Sequence, residues 1–260
     1  KTSGNTQISS EDIIKRLGKA RGEKVLREQT LERILLDLND LMGVKVRSVL
    51  TPGELPGTSD LMLEITETAP YSFGFDVDNF GSRFTGRNRM GVTAVAGNVA
   101  KFADQLSFRG VRSDLGQNFG QIAYLFPLTD SGDTTLKFSA THSEQTLGAT
   151  LASLNAGGQS DIYTAEAAHV LYRSKTAALR LRGGLDTRYF KNFQLGQLSS
   201  KDEIHDGFIS IGGNAIDDFS GMTFFDLKAH RGLGGPGLGD SLPSRAQGKS
   251  EITLAQLNVN

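Results

Sequence analysis

The spacing of hydrophobic residues changes once along the chain, near residue 70. Before that point the pattern is helical. Ser10, followed by two acidic residues, is expected to cap a first helix. A second helix is predicted from Glu28 to Met42, and Gly43 is expected to end it because glycine tolerates the left-handed conformation. The apolar face of the second helix consists of Leu31, Ile34, Leu35, Leu38 and Leu41.

Two extended segments complete this first part. Residues Val44–Leu50 alternate between apolar and polar positions until Thr51-Pro52-Gly53 interrupts them, and Leu61–Thr66 alternate in the same way. The order helix, helix, strand, strand predicts a small α+β unit, because the leucine face of the second helix needs a sheet to cover it.

After Pro70 the helical spacing gives way to alternation with a period of two. The stretch Tyr71–Asp78 puts aromatic and aliphatic residues at odd positions and small or acidic residues at even positions. The rest of the chain contains about nine or ten strands of this kind. A length of about nine to eleven residues suits a tilted crossing of a bilayer better than the usual strands of soluble sheets. Alternation alone leaves a membrane barrel and a soluble β-sandwich or barrel equally open, because any sheet with one wet face produces it.

Composition and charge narrow the class of protein. Only 38% of residues are hydrophobic and 31 are glycine, yet 15 Phe and 5 Tyr argue against disorder. A barrel with a polar lumen needs apolar residues at alternate positions only, which keeps the average modest. The net charge of −1 lacks the basic excess of nucleic-acid-binding proteins, and a chain without cysteine has no disulfide or thiolate. No run of about 18 apolar residues suggests a transmembrane helix.

Nothing in the sequence supports catalysis, a metal or a cofactor. The Gly-x-Ser-x-Gly, P-loop and His-Glu-x-x-His motifs are absent. The segment Gly232–Gly237 has the glycine spacing of dinucleotide-binding loops, but Pro236 lies inside it and no helix follows, so we interpret it as a loop and expect no nucleotide. Four histidines are scattered without the spacing of metal ligands: His142, His169, His205 and His230.

Several segments, taken in order, resemble those of one family. Those in the first part are Leu38–Val46, Leu50–Gly53 and Gly57–Leu61. Those in the second part are Asp78–Gly86, Ala103–Ser107, Ala123–Leu128 and Gly213–Asp218. They are similar to the barrel-proximal POTRA domain and the adjoining barrel strands of two-partner secretion transporters, the TpsB (ShlB/FhaC/HecB) branch of the Omp85 superfamily. The resemblance covers most of the chain.

The resemblance implies a mainly β protein of two parts. Residues 1–69 are expected to be a small α+β POTRA module in the periplasm. Residues 70–260 are expected to be the N-terminal strands of an antiparallel transmembrane β-barrel in the outer membrane of a Gram-negative bacterium. Family members have two POTRA domains and a sixteen-stranded barrel, so the first POTRA domain, the opening strand of the second and the closing barrel strands are expected to be missing. Because lipid does not tolerate an open barrel edge, we interpret the chain as a fragment.

The resemblance also implies a function. Family members export a large unfolded partner of the TpsA type, such as an adhesin or haemolysin, without nucleotide hydrolysis. We therefore expect contacts with that partner and with outer-membrane lipid, and no enzymatic activity, cofactor or nucleic acid. Three alternatives stay open: an Omp85-type assembly factor for outer-membrane proteins, a passive porin, and a soluble β-rich binding protein.

Two groups of residues are the candidate sites. An exposed strand edge can add an extended substrate segment through its backbone, although the apolar members could simply be the core of the unit. This first group is Val44, Lys45, Val46, Arg47 and Ser48, with Ile34 and Leu38 on the helix. The second group consists of charged residues at alternate strand positions, which are expected to line a hydrated lumen, the alternative being solvated ion pairs without a role in transport. Its members are Arg109, Arg180, Arg182, Asp186, Arg188, Asp226 and Lys228.

Overall fold

The structure is a computed structural model that describes residues 2–4, 9–18, 27–56, 58–234, 243–244 and 253–259. In the first part, the described residues form two helices and three strands. Their bounds are β1 Thr2–Ser3, α1 Ser10–Arg16, α2 Glu28–Asn39, β2 Val44–Pro52 and β3 Ser59–Glu67. The strands form one sheet in the order β1-β3-β2, in which β3 pairs antiparallel with β2 and parallel with β1.

The two helices cover one face of this sheet. Alternate residues of β2 and β3 turn toward the helices, as the period of two predicts. Burial of apolar surface in this cluster stabilises the unit. The cluster consists of Ile13, Ile34, Leu38, Val44, Val46, Leu63 and Ile65. Neither described helix is long and apolar enough to span a bilayer.

The observed elements differ from the prediction at three places. Thr2–Ser3 pair with Leu63 and Glu64 as a short opening strand that we expected to be missing, because two residues are too few to give a periodicity. Ser10 is the first residue of α1 rather than its cap, and the Ser9 carbonyl accepts from the N–H of Ile13.

The end of α2 is the third difference. This helix ends at Asn39 instead of Met42, because the chain tightens there and the N–H of Leu41 bonds to the carbonyl of Leu38. Gly43 then has a φ of 77°, the left-handed conformation predicted for it, and the chain enters β2. Gly43 therefore adopts the predicted conformation, but the helix ends four residues before it.

In the second part, the described residues form a single antiparallel sheet of ten strands. Each strand pairs with the next in sequence, and among the described residues β4 and β13 have one neighbour each. The predicted number of strands is confirmed, whereas β9 to β11, with 17, 18 and 20 residues, are longer than predicted. The bounds are β4 Tyr71–Asp78, β5 Arg89–Gly97, β6 Gln105–Ser113, β7 Asn118–Pro127, β8 Thr134–Thr146, β9 Gly157–Arg173, β10 Ala177–Gln194, β11 Gln197–Ile216, β12 Met222–Gly232 and β13 Thr253–Val259.

The alternation stays in register across the sheet and gives it two unlike faces. Directly paired residues form rows across neighbouring strands, and one such row runs from Arg109 of β6 to Arg188 of β10. We call the face of this row the charged face. The adjacent row runs from Phe108 of β6 to Tyr163 of β9 on the opposite side of the sheet, which we call the apolar face. Glu166 and Tyr172 of β9 are six residues apart and would share a face in a regular strand. A one-residue shift in the pairing of β9 with β10 lies between them, so Glu166 is on the charged face and Tyr172 on the apolar face.

Helix α2 contacts the turns at one end of the ten-stranded sheet. Arg33 Nη2 donates to Asp133 Oδ1 over 2.7 Å in the turn between β7 and β8. The backbone N–H of Lys175, between β9 and β10, donates to Glu32 Oε1 over 2.6 Å. Both contacts involve charged groups, which strengthens the hydrogen bonds. They tie one helix to two separate turns.

A third contact holds the C-terminal half of α2. Arg173, at the end of β9, lies 3.0 Å from Asp37 Oδ1 and 2.6 Å from Asp40 Oδ2. The side chains of Arg173 and Asp37 are only 13% and 12% exposed. Burial raises the pKa of Asp37 above its usual value, and the nearby Asp133 carboxylate adds to the rise, while Arg173 opposes it. We call these contacts of Glu32, Arg33, Asp37 and Asp40 the α2 anchor.

Candidate functional site

The residues predicted to line a lumen all lie on the charged face. In β10 they alternate with apolar residues such as Leu181 and Leu185, which point the other way. Strand pairing puts Arg180 in one row with Gly212 and Asp226. The full group is Arg109 in β6, Arg180, Arg182, Asp186 and Arg188 in β10, and Asp226 and Lys228 in β12. Their role as a pore lining stays a prediction.

The charged face is concave at the end of the sheet that carries α2. Residues from β6 to β10 line one cavity there, with a volume of about 440 Å³. Gln105, Lys137 and Glu166 are among them, and the register puts all three on the charged face. Side chains from so many neighbouring strands meet in one space because the sheet curves toward them. Asp37 and Asp40 of the α2 anchor complete the lining.

An ion pair on the charged face reaches across an intervening strand. Arg109 of β6 bonds to both carboxylate oxygens of Asp76 in β4, and its Nη1 also donates to Thr93 Oγ1 over 2.9 Å. Gly91 of β5 lies beneath this pair, and a Cβ built there would be 2.5 Å from Arg109 Nη2 and Asp76 Oδ2. The glycine therefore leaves the room in which the two side chains meet.

The same arrangement recurs at the other side of the sheet. Arg182 of β10 pairs with Asp226 of β12 across β11. Gly212 lies between them, where a Cβ would be 2.5 Å from Asp226 Oδ2. Two of the predicted lumen residues are thus each other's partners, which the alternation alone does not reveal.

The most buried charges of the wall form one network. Asp186 and Asp206 are 6% and 5% exposed, and Arg188 lies 2.6 Å from Asp186 Oδ2 and 3.2 Å from Asp206 Oδ1. His230 Nδ1 is 2.6 Å from the other oxygen of Asp206, and Thr164 donates to Asp186 over 2.7 Å. The two carboxylates and His230 offer ligand atoms within 4.8 Å of one another, and the Arg188 guanidinium offsets one of the two negative charges. Alternation along the sequence does not reveal this network, because its members come from four strands.

Two of the predicted lumen residues have no carboxylate partner among the described residues. The Nζ atom of Lys228 lies 3.9 Å from the centre of the Phe208 ring, a cation–π contact. Arg180 is exposed and lines the cavity beside Glu166, without an ion pair to a described residue. Among the predicted lumen residues, Arg180 is therefore the charge most available to a passing chain.

The apolar face exposes large hydrophobic side chains on every strand from β4 to β13, including Met90 at the start of β5, where smaller residues follow. Phe73, for example, is 75% exposed. An exposed apolar surface that continues over so many strands marks contact with lipid or another protein. Further members are Phe108, Ile122, Phe138, Leu185, Ile209, Leu227 and Leu257.

The predicted peptide-binding edge is the free edge of β2. This strand has β3 on one side only among the described residues. Ile34, Leu38, Val44 and Val46 are buried in the core of the unit, so their side chains have no surface to offer a partner. The exposed side chains of Lys45 and Arg47 and the strand backbone remain as the predicted contact.

Part of this edge is already occupied by a side chain of the same unit. Asn39 Oδ1 accepts from the N–H of Val46 over 2.9 Å, and Asn39 Nδ2 donates to the Val46 carbonyl over 3.0 Å. In an antiparallel pair the backbone groups of every second residue point away from the neighbour. Because those of Val46 point away from β3, those of Ser48 and Leu50 do so too. Beyond the bonds of Asn39, the backbone groups of Ser48, the last of the predicted residues, therefore lie at this edge.

The other histidines and the glycine-rich segment lie apart from these sites. His142 pairs with Asp161 over 2.6 Å, His205 with Glu203 over 2.9 Å, and His169 contacts the hydroxyl of Thr134. In the glycine-rich segment Gly232 ends β12, and residues 235–237 lie outside the described part of the chain.

Comparison with known sequences identifies the family. Residues 57–260 match the family described as Haemolysin secretion/activation protein ShlB/FhaC/HecB. The heme/hemopexin transporter protein HuxB of Haemophilus influenzae (strain 86-028NP) is 25% identical over 209 residues, 79% of this chain and 36% of HuxB. Outer membrane transporter CdiB-2 of Burkholderia pseudomallei (strain 1026b) is 24% identical over 249 residues, 92% of this chain and 42% of CdiB-2. The chain thus spans less than half the length of these relatives.

Comparison with solved structures agrees on the fold. CdiB from Escherichia coli has a TM-score of 0.74 at 18% identity, covering 95% of this chain and 48% of CdiB. BamA from Haemophilus ducreyi lacking POTRA domains 1-3 has a TM-score of 0.57 at 15% identity, covering 90% of this chain and 47% of BamA. Both likenesses concern the large antiparallel sheet and its neighbouring elements. Since the family match covers 204 of the 260 residues, from 57 to 260, the chain belongs to the haemolysin secretion/activation protein family ShlB/FhaC/HecB.

Proposed function

We propose that this chain is part of an outer-membrane transporter of two-partner secretion, which recognises an unfolded partner exoprotein in the periplasm and moves it across the outer membrane. The observation that carries the proposal is the sheet with one concave charged face and one exposed apolar face. Such a sheet suits a barrel wall with lipid on one side and water on the other. Family membership and the names of HuxB and CdiB-2 as transporters support it.

In this proposal residues 1–69 act as a periplasmic POTRA module and residues 70–260 as the first strands of the barrel. The free edge of β2 receives an extended segment of the partner, because adding a strand satisfies backbone groups whatever the side chains are. An unfolded client offers such segments along its whole length. The side chains of Lys45 and Arg47 flank the edge and select for acidic or polar neighbours.

The charged face is proposed to form the translocation path. Most of its charges are neutralised within the wall, as Arg109 is by Asp76 and Arg182 by Asp226. Paired charges keep a surface hydrated but attract a passing chain only weakly, which favours sliding over capture. Arg180, at the mouth of the concave face, is the proposed point of first contact with the partner.

Site-specific crosslinking tests the route. The chain has no cysteine, so single cysteines carrying a photo-crosslinker label one position each. In the full-length protein in its outer membrane, with the partner stalled during export, we expect adducts from Arg47→Cys and Arg180→Cys. Ile209→Cys, which is 57% exposed on the apolar face, is the matched control and gives none. Equal labelling of the partner from all three positions, or from none, would contradict the route.

Depletion of the full-length protein separates this function from the alternatives. Loss of one large secreted protein, with other outer-membrane proteins inserted normally, is the expected result. A general defect in barrel insertion would instead favour an assembly factor. Reduced uptake of small solutes with intact secretion would favour a porin.

A further inference from the structure

Two lysines face each other on the apolar side of the sheet. Lys191 of β10 is directly opposite Lys201 of β11. Like charges at directly opposed positions of neighbouring strands repel and weaken the pair. Neither lysine forms an ion pair with any residue that the structure describes. The pair therefore presents two positive charges with no internal balance.

The nearest carboxylates on this face are engaged by other groups. Glu203, two residues from Lys201 along β11 and on the same face, lies 2.9 Å from His205 Nε2. Asp161 of β9 lies 2.6 Å from His142 Nδ1. Each acid thus has a partner on the side away from the lysines, which leaves the lysine pair to bind an external anion.

The position of the pair along the strand places it at the border of the apolar face. From Leu179 to Tyr189, β10 runs ten residues, which is about 25 Å along the barrel axis at a rise of about 3.3 Å per residue and the usual tilt. That equals the height of the apolar band of an outer-membrane barrel. Tyr163 and Tyr189, whose ring centroids are 6.4 Å apart, stand at its upper limit as interfacial aromatics do. Lys191 is two residues farther on.

An apolar groove runs along the same face below the lysines. It has a volume of about 470 Å³ and is almost entirely apolar in its lining. The groove exists because alanines stand between larger side chains in neighbouring strands, and its upper limit is the row of Tyr163 and Thr187. Its walls and floor include Ile122, Phe138, Leu185, Ala140 and Ala165. The distance from its top to Lys191, four residues along β10, is about 10 Å along the axis.

We infer that Lys191 and Lys201 bind the phosphate of an anionic lipid in the outer leaflet, whose acyl chain lies in the groove bounded by Phe138, Tyr163 and Leu185. The inference rests on the proposed outer-membrane function, in which the end of the sheet away from the α2 anchor faces the cell exterior. A phosphate between the two ammonium groups removes their repulsion and adds charge-assisted hydrogen bonds. An acyl chain fills the groove, and a single amphiphile satisfies both features.

Lipid binding to the purified full-length protein in neutral detergent tests the inference. The probe is lipid A carrying both phosphates, titrated and detected by native mass spectrometry. Lys191→Gln/Lys201→Gln is expected to weaken binding about thirtyfold, because each lysine near a headgroup contributes about a factor of five. Lys101→Gln/Lys175→Gln, with the same loss of charge at the opposite end of the sheet, is the control and keeps the wild-type affinity. Lys191→Arg/Lys201→Arg is expected to retain binding.

Two further binding measurements test the groove and the lysine pair separately. Ala165→Phe fills the groove and is expected to weaken lipid A while leaving the lysine pair intact. Dephosphorylated lipid A is expected to bind the wild type no better than it binds the glutamine double variant. Equal affinity of both double variants for lipid A, or full displacement of the lipid by millimolar inorganic phosphate, overturns the inference. Because the readout is lipid affinity, it is independent of whether the protein exports a partner.

Discussion

At the scale of single residues, glycines decide which charges on the wall can meet. Asp76 and Arg109 are two strands apart, and only the missing side chain at Gly91 lets them touch. An alanine there would put its Cβ 2.5 Å from atoms of both partners, closer than real contacts allow. Since those atoms are the ends of flexible side chains, the pair would move apart rather than the strand.

A double-mutant cycle measures this effect. We expect Arg109→Gln to lower the midpoint temperature of unfolding slightly in the wild type, because it removes an exposed ion pair. In the Gly91→Ala background the same change is expected to cost nothing, because the pair is already broken. Gly74→Ala is the control, since a Cβ there meets only Thr93 at 3.8 Å and leaves the cost of Arg109→Gln unchanged. Thermal loss of the folded gel mobility in detergent is the measurement.

The raised pKa of Asp37 gives a second prediction at this scale. A carboxyl group whose pKa is higher in the folded state than in the unfolded state favours folding when protonated, so its contribution is lost as pH rises through the raised pKa. Asp37→Asn keeps an acceptor for Arg173 and removes the buried charge. The variant is therefore expected to be at least as stable as the wild type at pH 7, with an advantage that shrinks as the pH falls toward 4.

Unfolding of the α/β unit in urea, followed by the fluorescence of a dye attached at Glu54→Cys just beyond β2, provides the measurement for Asp37→Asn. Asp40→Asn serves as the comparison. Its carboxylate lies 2.6 Å from Arg173 and is 56% exposed, so the loss of this bond lowers stability at pH 7. An advantage of Asp37→Asn that grows on acidification would mean that another group causes the pKa shift.

Sequence reasoning at this scale predicted the face of each wall charge but not its partner. The period of two alone assigns Arg182 and Asp226 to one side of the sheet. Their contact depends on the register of three strands and on Gly212, which alternation does not specify. The Asp186–Arg188–Asp206 network was missed for the same reason.

At the scale of elements, the side chain of Asn39 links the end of α2 to the edge of β2. Asn39 stops the helix and takes up the backbone groups of Val46, as a neighbouring strand would. Its Nδ2 also donates to the carbonyl of Leu35, so one side chain joins helix and strand. A sequence pattern that places both Asn39 and Val46 in amphipathic elements cannot reveal that bond.

Removing this side chain is expected to lengthen the free edge. Asn39→Ala leaves the N–H and carbonyl of Val46 without their partner and costs about 1–2 kcal/mol, the net value of two hydrogen bonds. We expect faster hydrogen exchange at the Val46 amide and partner crosslinks that extend from Ser48 back to Val46. Asn39→Asp keeps the acceptor but not the donor and is expected to be intermediate. Gln29→Ala, on an exposed position of the same helix, leaves the exchange of Val46 unchanged.

At the scale of the whole molecule, the α2 anchor connects the α/β unit to the sheet. Its contacts join residues far apart in sequence, since Arg33 and Asp133 are 100 positions apart. No local pattern predicts such contacts, although the two parts and the number of strands followed from periodicity. The anchor holds α2 at the mouth of the concave face, where Asp37 and Asp40 complete the cavity lined by Glu166. The relative position of the two parts therefore depends on a few polar contacts.

Arg173 is the residue on which this arrangement depends most. It is 13% exposed and bonds Asp37 of α2 and Asp40 just beyond its end, so Arg173→Gln leaves the buried Asp37 carboxylate without its counter-charge. The expected cost to docking is about 1.5–3 kcal/mol, the range for a hydrogen bond to a charged group. A loss of this size raises the undocked fraction by at least tenfold. The α/β unit itself stays folded, because its apolar core does not include Arg173.

Distances between spin labels at Glu54→Cys and Ser199→Cys in the full-length protein report this change. Both positions are exposed, one beyond β2 and the other on β11. We expect a narrow distance distribution in the wild type and a broad one in Arg173→Gln. Arg47→Gln removes the same charge from the exposed face of β2, which takes no part in the anchor, and is expected to keep the narrow distribution. If Arg173→Gln left the distribution as narrow as Arg47→Gln does, the position of the unit would depend on the covalent connection between β3 and β4 rather than on the anchor.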